Sequence, residues 1–192
     1  MEFANQVISR IHNSSVGRSL AYFVVLSCLI QPNFAQQKLD QLIVYGDNFM
    51  FSVKEPNGWN GDTANAKNFQ SSVILHEATQ PTDSVSGLIR IRINRKVDEN
   101  TKADLEEDMR GYRAQYPRVQ FKDFSVNHPQ YLCLAKVFYI PGEFYEYVAY
   151  VNPGPKKPIL FSISMSSQKS EASVAEMEAY RSAVESLTVL KP

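Results

Sequence analysis

The stretch LCLAKVFYIPGEFYEYVAYV, residues 132–151, decides the fold class. Leu132 to Ile140 is almost continuously apolar, the composition of a central strand covered on both faces. Pro141-Gly142 supplies turn residues, and Phe144 to Val151 resumes as a second strand, so the pair reads as a hairpin. A link this short joins antiparallel strands, because a parallel crossover needs a dozen or more residues. Asn152 to Pro158, with three prolines, a glycine and two lysines, is a rigid and exposed connection. Beyond it Ile159, Phe161, Ile163 and Met165 alternate with Leu160, Ser162, Ser164 and Ser166, the period of another strand.

The same period recurs upstream. Leu88 to Arg95 sends Ile89, Ile91 and Ile93 one way and Arg90, Arg92 and Asn94 the other. Ser71 to Glu77 and Tyr45 to Lys54 also read as strands, the second ended by Pro56 and Gly58. Residues Asn60 to Gln70 read as a loop, and Gln80 to Gly87 as a polar turn region. Two segments change to helical spacing. Thr101 is a candidate N-cap with Asp104 three positions on, Leu105, Met109, Tyr112 and Tyr116 share a face, and Pro117 stops the helix. Acidic residues at 104 and 106–108 suit the positive end of its dipole. The second helix starts from about Glu171, with Ser173 and Glu176 offering a capping box and Met177, Tyr180, Val184 and Leu187 an apolar stripe. Strands, a helix, more strands and a helix, joined by hairpin-length links, predict an α+β domain. Its mainly antiparallel sheet is flanked by helices, an α/β/α sandwich.

The N-terminus reads as an export signal. Arg10 and Arg18 precede an apolar run from Leu20 to Ile30, the length of a signal h-region and too short for an ordinary membrane span. Pro32 breaks the run, and Ala35 is the expected residue before the cut, which assigns 1–35 to a signal peptide and 36–192 to a single domain. An N-terminal core helix fits less well, since the run has no polar face. A lipoprotein reading would use Val25-Leu26-Ser27-Cys28 and anchor the chain at Cys28. Removing 1–35 takes away Glu2, Arg10 and Arg18 and moves the formal charge from zero to a single net negative. Such a balance excludes a broad attraction for nucleic acid or anionic membranes. It leaves one cysteine, Cys133, which cannot form an internal disulfide and is expected to be a buried, inert core residue.

Phe51-Ser52-Val53 followed by Pro56-Asn57-Gly58-Trp59 resembles the opening of the PsbP-like proteins, and Tyr180 to Leu187, with Ser186 before Leu187, resembles their C-terminal helix. That group includes extrinsic photosystem II subunits, bacterial DcrB-like envelope proteins and a nuclear Ran-binding relative. The resemblance covers nearly all of the chain after the export segment. It implies an antiparallel sheet between helices; function varies within the group, and fold does not fix it.

Chemistry is sparse. No P-loop, dinucleotide fingerprint, nucleophile elbow or paired CxxC occurs. His76-Glu77-Ala78-Thr79-Gln80 falls short of a zinc-protease motif, with Gln80 where the second histidine belongs. His76 and His128, the two histidines after residue 35, would have to meet carboxylates to hold a metal or act as a base. Arg90, Arg92, Arg95 and Lys96 form a basic stripe that is either an anionic-partner surface or a strand's solvated face paired with carboxylates. Phe144, Tyr145, Tyr147 and Tyr150 read as cross-strand packing rather than a base-stacking platform. The Asn60 to Gln70 loop is the expected recognition surface. Trp59 is either an anchor for a partner or a cover over one end of the sheet.

The expectation is an exported, periplasmic or secreted, non-catalytic domain acting on an envelope protein partner or a small ligand. No cofactor, metal site, nucleic-acid partner or stable membrane span is expected in the mature chain. Binding candidates are Trp59, Asn60, Asp62, Arg90 and Arg92. The alternative is an envelope enzyme or metal-binding protein whose site is assembled from scattered residues. Intact-mass measurement of protein from the native host is expected to give a chain starting near Gln36; a chain still starting at Met1 would remove the export reading.

Overall fold

The computed structural model describes residues 41–46, 49–79, 87–168 and 170–190. The export segment at 1–35, with Cys28, lies outside the described residues, as does the 80–86 part of the expected turn region. The strands are β1 Gln41–Gly46, β2 Phe49–Lys54, β3 Trp59–Asp62, β4 Val73–Glu77, β5 Ile89–Arg95, β6 Gln120–Asp123, β7 Leu132–Ile140, β8 Phe144–Asn152, β9 Ile159–Gln168 and β10 Thr188–Leu190. The helices are α1 Thr101–Gln115 and α2 Val174–Ser186, with a short 3₁₀ helix at Ala66–Phe69. Seven strands form one sheet in the order β3-β4-β5-β9-β8-β7-β6, and β1-β2-β10 form a second. Every pairing is antiparallel, so the α+β class read from the sequence holds.

The hairpin that decides the class is built as its residues require. Glu143 N–H donates to Ile140 C=O at 3.0 Å, and Gly142 takes φ +77°. Proline before a glycine of positive φ is the chemistry of a type II turn. The turn sets the register Ile140 opposite Phe144 through Leu132 opposite Asn152.

Both faces of the large sheet are covered. On one face Ile89, Ile91, Val137, Ala149, Phe161 and Ile163 pack against α2, through Tyr180, Ala183 and Val184, and against the small sheet, through Phe51 and Val53. Phe51 meets Phe161 edge-on at 5.2 Å. On the other face α1 brings Leu105, Met109 and Tyr112 onto Phe138, Val148, Tyr150 and Leu160, with Tyr112 at 4.6 Å from Phe138. The 3₁₀ helix covers Ile74 with Ala66 and Phe69. The α/β/α layering is therefore present, with the small sheet added beside α2.

Several boundaries differ from the sequence reading, each because a distant partner decides it. Tyr45 to Lys54 is not one strand: β1 ends at Gly46, and β2 begins at Phe49 and runs back along it. The expected Asn60 to Gln70 loop opens with an edge strand, because β4 offers β3 a ladder in which Asn60 lies opposite His76 and Asp62 opposite Ile74. Asn100, not Thr101, caps α1: its side chain accepts from Lys102 N–H at 3.0 Å, which frees the Thr101 hydroxyl to accept from Asn152 at 2.7 Å. Asp104 caps nothing in the helix; it accepts from Val97 N–H at 2.8 Å. α2 begins at Val174 rather than near Glu171, and its Ser173–Glu176 capping box is formed. Leu132, at the start of the strand expected to be covered throughout, is 58% exposed.

Trp59 sits in the core at 6% exposure, so its ring is not a surface anchor. Its N–H donates to Pro56 C=O at 2.9 Å across a turn in which Gly58 takes φ +78°, and that turn aims the ring inward. Trp59→Ala is expected to cost about 3–5 kcal/mol in denaturant unfolding. Native fluorescence should be blue-shifted and move red on unfolding. A red-shifted native emission with an unchanged melting temperature would contradict this placement.

Candidate functional site

The basic stripe is partly covered: Arg90, Arg92 and Lys96 are half-buried and Arg95 is exposed. The antiparallel register places Arg90 and Arg92 of β5 beside Ser164 and Ser162 of β9, on the face that α1 overlies. Arg90 donates to Glu146 of β8 at 2.5 Å and to the Ser166 hydroxyl at 2.8 Å. The second oxygen of Glu146 accepts the Tyr112 hydroxyl. Tyr150 donates to Asp108 at 2.5 Å, and Arg92 reaches Phe69 C=O at 3.3 Å. Burial raises the pKa of Tyr112 and Tyr150 well above the usual phenol range, so both hydroxyls remain protonated donors. Burial also raises Asp108, against the lowering effect of the Tyr150 hydrogen bond. Glu146 thus neutralises Arg90 directly, and Asp108 lies within electrostatic reach of Arg92. The sequence correctly predicted carboxylate pairing for Arg90; α1 leaves Arg90 and Arg92 half-buried, while Arg95 at the end of the strand stays exposed.

Asn60 and Asp62, the other binding candidates, lie on the β3 edge. Asp62 accepts from the backbone N–H and the side-chain amide of Asn65, at 2.9 and 2.6 Å, and those bonds lower its pKa. Its carboxylate fastens the turn into the 3₁₀ helix. The five candidates therefore separate into one core ring, two edge residues and two half-buried arginines, and they do not form a common site.

The remaining reactive groups are taken up locally. His76 Nδ1 lies 3.0 Å from Glu77 C=O. Cys133 is half-buried rather than wholly enclosed, and burial alone pushes its thiol up to about 11, so it stays protonated at neutral pH. His128 Nδ1 accepts two backbone N–H groups, from Gln130 and Tyr131, each at 3.1 Å. Nε2 must then carry the proton, which it donates to Leu187 C=O at 2.8 Å. Beside it the Tyr131 hydroxyl accepts from Val189 N–H at 3.2 Å. His128 thus fastens β10 as a neutral imidazole and has no nitrogen left for a metal or a substrate. Among the described residues, no group of three or more His, Cys, Asp or Glu side chains is placed to hold a metal ion.

A concave apolar site lies between β6, β7, β8 and the first turns of α2, a feature that no single sequence segment signalled. It is a groove of about 390 Å³, within the range of small-ligand sites. Phe124, Val137, Tyr147, Ala172, Val174 and Met177 supply its apolar lining. Tyr147 is fixed by accepting Ala172 N–H at 3.2 Å. Lys122 and Arg181 stand at the rim: Lys122 donates to Glu171, while Arg181 lies 4.8 Å over the Phe124 ring and donates to Ser125 C=O at 2.6 Å. Glu171 and Glu178 offset these two cations, so the lining carries no net formal charge. Val174, at the first position of α2, is 77% exposed at the mouth.

The His128 latch makes stability depend on pH. Its pKa lies below the ordinary 6.5, chiefly because of desolvation, with Glu185 and the Leu187 hydrogen bond pulling the other way. The unfolded state therefore takes up the proton first. Stability from this site is complete above about pH 6.5 and is lost as pH falls through the lowered folded value. The melting temperature should decline over that interval, and decline less in His128→Gln; equal slopes would exclude His128 as the source.

No protein-family profile matches the chain, and no curated protein matches it in sequence. Among solved structures it is similar to LpqN, a protein of Mycobacterium tuberculosis involved in cell envelope biogenesis, with a TM-score of 0.50 and 14% sequence identity. The match covers 85% of this chain and 97% of LpqN. At that identity the likeness is one of fold: an α+β chain of antiparallel sheets shared with an envelope protein.

Proposed function

We propose that this chain is an exported, PsbP-like, non-catalytic binding domain of the cell envelope. In this reading it holds the apolar body of a small ligand in the groove between β6–β8 and α2. The groove carries the proposal: an apolar floor of about 390 Å³, open at its mouth, beside an exposed valine that has no role in the core. An apolar ligand would gain roughly 25 cal/mol for each Å² withdrawn from water, and the balanced rim would tolerate a polar head of either sign. The fold it shares with an envelope-biogenesis protein supports the compartment, as does the sequence pattern at 1–35. The non-catalytic part of the reading is supported by the neutral latch at His128, the high thiol pKa of Cys133 and the carboxylates engaged under α1.

Anilinonaphthalene sulfonate, a dye that brightens in apolar sites, tests the groove directly. The folded protein should bind it saturably. Val174→Asp and Met177→Asp, which place negative charge at the mouth and on the wall, should each weaken binding of this anionic dye by about tenfold, roughly 1.4 kcal/mol. The exposed Val174 position should leave the melting temperature nearly unchanged, and Met177, which also packs on the core, should lower it. Native mass spectrometry of protein from the host envelope should show a bound small molecule that both variants lose. Dye binding that is absent, or indifferent to both substitutions, would sink the proposal.

A further inference from the structure

Strand β1 forms one edge of the small sheet: it bonds to β2 on one side and to no strand on the other among the described residues. An unpaired edge is a template for another strand, and proteins usually blunt it with short length, charge, proline or a bulge. The two edges of the seven-stranded sheet follow that rule. β3 and β6 have four residues each, and carry Asp62 in one case and Lys122 and Asp123 in the other. β1 departs from it, with the six residues QLIVYG and neither a charge nor a proline. Ile43 and Tyr45 on this edge are 44% and 75% exposed.

A groove of about 370 Å³ runs beside this edge. Ile43, Val44, Tyr45 and Phe49 form its near wall, while Thr63, Lys67, Ser71 and Ser72 contribute hydroxyls and one cation from across it. From this we infer that the groove receives an extended peptide segment of a partner protein, which adds as a strand to β1 and places an acidic side chain opposite Lys67. Main-chain hydrogen bonds to the edge would supply affinity, and alternate side chains would meet Tyr45 and Ile43 on one face and the hydroxyl-lined wall on the other. A flat edge would suit a second copy equally well. The cation on the far wall favours a strand that carries a carboxylate within its paired length, whereas QLIVYG has its nearest ones, Asp40 and Asp47, just outside it. This site is separate from the apolar groove at α2, so either can fail without the other.

The probe is a displayed library of random peptides of about ten residues, long enough to run past an edge of roughly 20 Å. Selected peptides should alternate apolar and polar residues, include an Asp or Glu, and slow amide exchange at 41–46. Tyr45→Lys and Ile43→Lys alter exposed positions that the fold does not need, and each should weaken binding by about tenfold or more. Lys67→Glu should reverse the preference from acidic to basic peptides. Selection without these features, or slowed exchange at other segments only, overturns the inference. So does slowing at 41–46 produced by raised protein concentration alone, which would assign the edge to a second copy.

Discussion

Strand β8 must be buried on both faces, and the rest of the structure follows from that constraint. Six consecutive residues, Tyr147 to Asn152, are buried, with Tyr147, Ala149 and Val151 turned to α2 and the small sheet and Val148 and Tyr150 turned to α1. Neither cover is optional. An uncovered face would return a valine and a tyrosine of this strand to water, at about 1.5–3 kcal/mol for the aliphatic side chain and more for the aromatic ring. The helices are correspondingly dependent on the sheet, since isolated helices of this length are marginal in water.

Covering the second face creates a polar problem that the side chains solve together. β5 and β9 present arginines and serines there, and α1 lays acidic and phenolic groups over them. Glu146 takes Arg90 on one oxygen and Tyr112 on the other, while Asp108 takes Tyr150. A covered ion pair is weak evidence of stability, because desolvation offsets much of the attraction. What it does supply is position: removing Glu146 would leave a guanidinium and a phenol without their acceptor, so the layer favours one placement of α1. The same closure makes Arg90 and Arg92 poor ligands for anything outside.

Elements specified by neighbouring residues were legible in the sequence. The Pro141-Gly142 turn, the Ile89, Ile91 and Ile93 alternation and the Ser173–Glu176 box depend on contacts a few positions apart, and all three appear as read. β3, β6 and β10 were not legible, because each is four residues or fewer and exists only as a partner to a longer strand. β10 pairs with β2 from the opposite end of the chain, so no local pattern could announce it. The N-cap of α1 moved by one residue for the same reason: Asn152, in β8, takes the Thr101 hydroxyl. The site was less legible than the fold. The arginine stripe was visible, but its carboxylate partners lie on other elements, and the α2 groove is lined from four separate stretches of chain.

These facts explain where recognition can reside in such a molecule. The centre of the large sheet is closed from both sides, and Glu146, Tyr112, Tyr150 and Asp108 there are hydrogen-bonded to one another or to Arg90. A ligand can reach apolar surface only where a cover stops short, and the two grooves lie at such margins. At α2 the helix begins after Ser173, and Phe124 and Met177 are left partly accessible in the groove beside it. At β1 the small sheet ends without a partner strand among the described residues, beside the loop that carries Lys67. Exposed residues at a margin, such as Val174, Ile43 and Tyr45, can change without disturbing the covered strands. A fold held together by β8 can therefore persist while its margins diverge, which is the physical reason that a shared fold at low sequence identity says little about what each member binds.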